Sequence, residues 1–169
     1  MPATRWKAPL GETVDVVLET SHHSDGTSHR DLLREHIDLP VLLSHFCEFE
    51  DLLLNDGCAG AAVIANAAPA EVQFDEHKLL VVYARDPGPF EGIFRRHGVS
   101  RCDGLRLITE GEHLHSSDPR HLEAFEQLCC RLGVAEPFLE FRQPFEQRAA
   151  RGDVLDPANV LLNDVGCEV

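Results

Sequence analysis

The sequence is poor in positive charge. It has 15 lysine and arginine residues against 29 aspartate and glutamate residues, for a formal net charge of −14 at pH 7. The acidic residues are spread over both halves of the 169-residue chain. Because a diffuse negative field repels phosphate backbones and anionic lipid surfaces, we expect no nucleic-acid partner and no membrane partner.

The sequence also lacks the segments that direct a chain to or across a membrane. No apolar run approaches the roughly 18 residues of a membrane-spanning helix, and residues 1–11 contain no apolar stretch of the kind found in signal peptides. The six cysteines include no Cys-x-x-Cys pair, which disfavours a zinc ribbon and a thioredoxin-type redox centre. Reduced thiols in a cytoplasmic protein are the better interpretation.

Common catalytic signatures are missing as well. The chain has no phosphate-binding loop, no dinucleotide-binding glycine motif, no nucleophile elbow, no His-Glu-x-x-His motif and no EF-hand loop. These absences disfavour ordinary NTPases, dinucleotide-dependent dehydrogenases, serine hydrolases and zinc proteases. No motif in the chain resembles that of a known family.

The length and the composition indicate one folded domain. Hydrophobic residues make up 43% and charged residues 26% of the chain, which is close to the average of globular proteins. We expect a flexible N-terminal segment over 1–12, a single α+β domain over 13–133, and a helical or irregular C-terminal extension over 134–169.

Alternating and continuous apolar runs predict the strands. Val14, Val16 and Leu18 fall on one side of a strand over 13–19. Further strands are expected at 58–65, 71–74, 79–84 and 105–109. The segments 71–74 and 79–84 are either two strands around a turn or one long bent strand.

Apolar residues at three- and four-residue steps predict a helix of about four turns after Asp38, with Pro40 in its first turn. Gly57 suits a left-handed position at its end. The predicted inner face, which we expect to pack on the sheet that contains Val81, comprises Leu42, Leu43, Phe46, Phe49 and Leu53. Further helices are expected at 31–37, 89–97 and 118–132.

These elements predict an α+β fold with a mixed, mainly antiparallel sheet of four to five strands and helices packed on it. Strand 79–84, helix 89–97 and strand 105–109 form one β-α-β crossover in this prediction. Ligands favour the carboxyl ends of parallel strands, so a site is expected where these two strands end.

Titratable residues of both signs gather at those predicted strand ends. His113 and His115 would point to the same side of a continued strand, where two neutral imidazoles can share a divalent metal and Glu112 can complete the site. Arg85 and Asp86 end the other strand, and Arg85 can hold an anionic group. The favoured alternative is that the two histidines are solvated in a polar loop.

Two other clusters are interpreted as structural. Asp75-Glu76-His77 reads as a solvated hairpin tip at the sheet edge opposite His113, so that the two clusters would not form one site. His22, His23 and His29 in segment 20–29 could collect a metal weakly, but a flexible connector is the favoured interpretation. Cys58 and Cys129 read as small core residues.

The sequence therefore favours a non-enzymatic domain that binds a protein partner or a small molecule. The alternative is a metal-binding protein or a metal-dependent enzyme that uses His113 and His115, with a divalent metal as its cofactor.

Overall fold

The computed structural model describes residues 9–22, 29–102, 104, 106–134 and 160–162. The strands are β1 (Thr13–Thr20), β2 (Arg30–Asp38), β3 (Ala59–Ala65), β4 (Ala70–Phe74), β5 (Leu80–Ala84) and β6 (Val160–Leu162). The helices are α1 (Leu39–Glu48), α2 (Glu50–Asn55), α3 (Gly88–Arg96) and α4 (Pro119–Leu132), with one 3₁₀ turn at Ile108–Glu110.

The strands form one sheet in the order β2-β1-β3-β4-β5-β6, and every neighbouring pair is antiparallel. The helices pack on this sheet, so the predicted α+β class is confirmed. The segments 71–74 and 79–84 are two strands around a turn rather than one bent strand. Most of the predicted extension over 134–169 lies outside the described residues, but β6 pairs with β5.

The described residues contain no β-α-β crossover, because residues 106–109, the described part of the predicted strand 105–109, are not in a strand. Ile108–Glu110 forms a 3₁₀ turn instead. The Glu110 carboxylate accepts the backbone N–H of Leu107 at 3.0 Å. A side chain therefore takes the donor that a sheet ladder would have used.

Segment 31–37 was expected as a helix but belongs to strand β2. Its leucines pair with apolar residues of β1, as in Val17 with Leu33 and Leu18 with Leu32. Strand β2 has one extra residue opposite Asp15, where His36 has a positive φ of 54° and its N–H donates to Asp15 Oδ1 at 2.8 Å. Pairing with a neighbouring strand outweighs the local preference here.

The predicted four-turn helix begins at the expected place but breaks at Phe49 into α1 and α2. The break leaves the predicted inward residues Phe49 and Leu53 buried. Leu42 is fully buried and Phe46 partly buried, whereas Leu43 is 51% exposed, so its predicted place in the core is wrong. Leu42 and Phe46 pack with residues of β1, β3 and α4 rather than with Val81 of β5.

Helix α4 follows the prediction closely and places a histidine beside the sheet. The side chain of Asp118 caps it by accepting the N–H of Arg120 at 3.0 Å, and Gly133 ends it at a φ of 60°. Its buried residues are His121, Phe125, Leu128 and Leu132. Cys129 contacts the same core as expected, and burial raises the pKa of its thiol to about 11.

No helix in the described ranges is long and apolar enough to cross a membrane.

Candidate metal centre

The turn between β4 and β5 fixes the first histidine of the site. Asp75 holds the turn with one carboxylate oxygen, because Oδ1 accepts the N–H of Leu79 at 2.8 Å. Its other oxygen, Oδ2, lies 2.9 Å from Nδ1 of His77. Lys78 closes the turn at a φ of 63°. The same carboxylate thus shapes the turn and orients the imidazole of His77.

The segment that follows the 3₁₀ turn runs back past this hairpin and carries two more histidines. His113 Nδ1 lies 2.9 Å from the carbonyl of Gly111, and His115 Nδ1 lies 2.7 Å from the carbonyl of Gly57. The N–H of Gly57 donates to the carbonyl of Ser116 at 3.0 Å. A Cβ atom on Gly57 would come within 2.8 Å of that same carbonyl oxygen.

Gly57 therefore serves a different purpose from the one predicted. Its φ is not in the left-handed region, so the α2 end does not require glycine for conformational reasons. The residue has to be glycine because the backbone of the histidine-bearing segment lies against it.

Three imidazole rings meet where these two segments touch. The ring centroids of His77 lie 4.8 Å from those of His113 and His115, and the latter two lie 5.0 Å apart. One ring nitrogen from each histidine lies within 4.8 Å of the other two. The Nε2 atoms of His77 and His113 are 2.9 Å apart.

Hydrogen bonding assigns the same tautomer to all three rings. Each Nδ1 faces an oxygen that can only accept: the Asp75 carboxylate or a backbone carbonyl. Each Nδ1 therefore carries the proton and each Nε2 presents a lone pair in the neutral ring. Between His77 and His113, two lone pairs then face each other at 2.9 Å, which is unfavourable unless the two nitrogens share a proton or a metal ion.

The charged residues around the three imidazoles are largely withdrawn from solvent. The Glu76 side chain is 12% exposed, lies 3.7 Å from Nδ1 of His115, and accepts a hydrogen bond from the Ser21 hydroxyl at 2.9 Å. Lys78 donates to the carbonyl of Ala59 at 2.9 Å, and burial lowers the pKa of its ammonium group. The imidazoles themselves line an open depression of about 190 Å³.

The structure brings together two of the sequence-predicted site residues and separates the others from them. His113 and His115 share the depression, although they lie in an irregular segment and not on a strand. Glu112 is exposed and belongs to neither of the histidine-containing ligand groups among the described residues.

Arg85 and Asp86 lie at the opposite end of β5 from the three imidazoles. About 17 Å of strand separates the two ends, so the expectation that all five residues share one edge is corrected. Asp86 Oδ1 instead accepts the N–H of Gly88 at the start of α3 at 3.0 Å.

His77 is the residue that sequence reasoning missed. The prediction that its cluster lies at the edge opposite His113 is wrong, because it depended on a strand at 105–109 that would have carried His113 away from the hairpin. The available signal was the Asp75-x-His77 pair in a tight turn, in which a carboxylate can orient an imidazole.

No protein-family model, curated protein or solved structure matches this chain. Function is therefore inferred from the arrangement of the side chains.

Proposed function

We propose that this protein binds a divalent transition metal, with Zn²⁺ as the preferred ion, through the Nε2 atoms of His77, His113 and His115. The observation that carries the proposal is the convergence of three imidazoles whose Nδ1 atoms are all engaged by acceptors. In a tetrahedral zinc site with Zn–N bonds of about 2.0–2.1 Å, ligand nitrogens lie about 3.3 Å apart. The 2.9 Å between two of the Nε2 atoms requires only a small outward movement.

The hydrogen bonds to the Nδ1 atoms support metal binding further. Metal-ligating histidines generally donate their second ring N–H to a carboxylate or a backbone carbonyl, which fixes the ring and raises its basicity. All three histidines have such a partner. Imidazole ligands suit Zn²⁺, Cu²⁺ and Ni²⁺ better than Mg²⁺ or Ca²⁺.

Three protein ligands leave a coordination position for water or a bound molecule, and such a metal can polarise an oxygen atom placed there. The depression beside the imidazoles is also lined by the apolar side chains of Leu54, Ile108 and Leu114, which are 50%, 55% and 98% exposed. This combination suits a small molecule with an oxygen-bearing head and an apolar body. The depression supports a small molecule as the partner in this proposal.

Zinc titration of the purified protein against a chromophoric chelator tests the proposal. Changing His113 or His115 to Ala should weaken zinc binding strongly, because each change removes a ligand. His97→Ala is the matched control, since His97 is exposed at the end of α3, outside the histidine cluster. Equal zinc affinities in all three variants and the wild type would reject the site.

The broader expectations about partners stay predictions. Binding of a protein partner, a cytoplasmic location and the absence of a nucleic-acid partner rest on the charge and the composition of the sequence.

A further inference from the structure

A buried carboxylate without hydrogen bonds lies behind the surface histidines. Asp56 follows α2 and its side chain is 0% exposed, yet neither carboxylate oxygen has a hydrogen-bond partner. Burying a charged group is costly unless it is paired or coordinates a metal. Buried polar side chains almost always have hydrogen-bond partners, whereas the only ion-pair partners of the Asp56 carboxylate in the described part of the chain are the imidazoles of His22 and His121.

The other side chains around Asp56 are metal-ligating types. One ligand atom each from His22, Asp56 and Cys58 lies within 4.8 Å of the other two. His22 was expected in a solvated connector, but its side chain is 4% exposed and its Nε2 lies 2.8 Å from Asp56 Oδ2. The Nδ1 of His22 lies 2.7 Å from the Thr20 hydroxyl, and its Nε2 also lies 3.1 Å from the Ser117 hydroxyl.

A second histidine approaches the same carboxylate from α4. His121 is buried, and its Nδ1 lies 3.8 Å from Asp56 Oδ1 with no hydrogen-bond partner. Its Nε2 lies 3.3 Å from Oδ2 of Asp51. The Asp51 carboxylate thus accepts the Nε2–H of His121, which leaves the lone pair on Nδ1, the ring nitrogen nearer Asp56. The same arrangement of carboxylate and imidazole occurs in carboxylate–histidine–zinc relays.

We propose that His22, Asp56 and Cys58 form a second metal site, buried in the domain, which binds one Zn²⁺ ion and has His121 available as the fourth ligand. With His121 drawn in from its present 3.8 Å from Asp56, four protein ligands would close the tetrahedral coordination of the ion, as they do in structural zinc sites. The ion would neutralise the buried carboxylate and link β1, the end of α2 and helix α4, which are otherwise joined mainly by apolar contacts.

The buried site is distinct from the surface site of the proposed function, although the same short loop serves both. Asp56 and Cys58 are ligands of the buried site, whereas Gly57 between them positions His115 of the surface site. The two sites have different ligand chemistry, because only the buried one contains a thiolate. A metal with a spectroscopic signature for sulfur ligation therefore separates them.

The test is a Co²⁺ titration of the reduced full chain, followed by absorption spectroscopy. Thiolate ligation to Co²⁺ gives a charge-transfer band in the near ultraviolet, which imidazole and carboxylate ligands do not give. We expect this band in the wild-type protein. Cys58→Ser should abolish it, and Cys102→Ser is the matched control because Cys102 is an exposed cysteine and should leave the band unchanged.

Variants of the other ligands extend the test. Asp56→Asn should weaken Co²⁺ binding at the thiolate site at least tenfold, and His113→Ala should leave the charge-transfer band intact. A wild-type spectrum without the band overturns the buried site even if Cys58→Ser or Asp56→Asn fails to fold. A band that persists in Cys58→Ser also overturns it, since another cysteine would then be the ligand.

The same spectra separate the two proposals. Cobalt binding without a charge-transfer band, lost in His113→Ala, would support the surface site alone and reject the buried one. A charge-transfer band with the same cobalt stoichiometry in His113→Ala and the wild type would support the buried site and reject the surface one.

Discussion

Asp75→Asn tests how the hairpin prepares His77 to bind a metal. Asp75 uses Oδ1 to accept the N–H of Leu79 and Oδ2 to accept Nδ1–H of His77. An asparagine can keep the first hydrogen bond with its amide oxygen, and the amide NH₂ then faces the imidazole. To meet a donor, the ring must move its proton from Nδ1 to Nε2, which removes the lone pair that the metal needs.

The expected loss of zinc affinity in Asp75→Asn follows from what is known of carboxylates that orient metal-ligating histidines. Losing a carboxylate that orients a metal-ligating histidine costs about 10–100-fold in metal affinity. This range corresponds to about 1.4–2.7 kcal/mol of binding free energy. The turn itself should survive, since the hydrogen bond to Leu79 is retained, so thermal unfolding without metal should change little.

Competition with a chromophoric zinc chelator near neutral pH gives the affinity of the variant. Asp86→Asn is the matched control, because Asp86 caps the start of α3 at the other end of β5. A zinc affinity of Asp75→Asn equal to that of the wild type would refute the role given to this carboxylate.

Three further predictions concern the core, the contact at Gly57 and the buried lysine. Leu42→Ala should lower the free energy of unfolding by about 2–5 kcal/mol because Leu42 is fully buried. Leu43→Ala should change this free energy by about 0.5 kcal/mol or less, because Leu43 is exposed. Equal urea midpoints for the two variants would contradict the observed orientation of the helix. Gly57→Ala should weaken zinc binding about tenfold or more, because its Cβ would displace the segment that carries His115; an unchanged chelator titration would show that the contact does not position the ligand. Burial lowers the pKa of Lys78 below 10.5, so the unfolded chain holds this proton more firmly and stability rises as the pH increases from the folded-state pKa towards 10.5. Lys78→Met should remove that part of the rise, and urea midpoints of both proteins across this alkaline range measure the difference.

The helices that the sequence predicts well are those with local end signals. Helix α4 has a capping aspartate, a proline in its first turn and Gly133 at its end, and each acts within a few residues of chain. The break in the first helix at Phe49 has no such signal. The break depends on how α1 and α2 meet the sheet and α4. Leu43 was misplaced for a different reason: it lies about 100° round the helix from the buried Leu42, which carries it off the apolar face.

The candidate site was only partly predictable for a related reason. The spacing of His113 and His115 indicated that the two imidazoles can share a metal ion. This prediction depends only on residues that are neighbours in the sequence. The partnership with His77 depends on the path of the chain between α3 and α4, which was predicted as a strand. The burial of His22 against Asp56 likewise depends on tertiary contacts. The polar residues around His22 predicted an exposed connector instead.

The most direct test of the proposed surface site is to observe the nitrogen atoms of its three imidazoles. Long-range ¹H–¹⁵N correlation spectra, assigned with single His→Gln variants, report the proton position on each ring. Without metal, we predict a proton on Nδ1 of His77, His113 and His115; with saturating Zn²⁺, only their Nε2 resonances should move to metal-bound positions while Nδ1 stays protonated. Spectra in which these three Nε2 resonances do not respond to zinc would contradict the proposed metal centre.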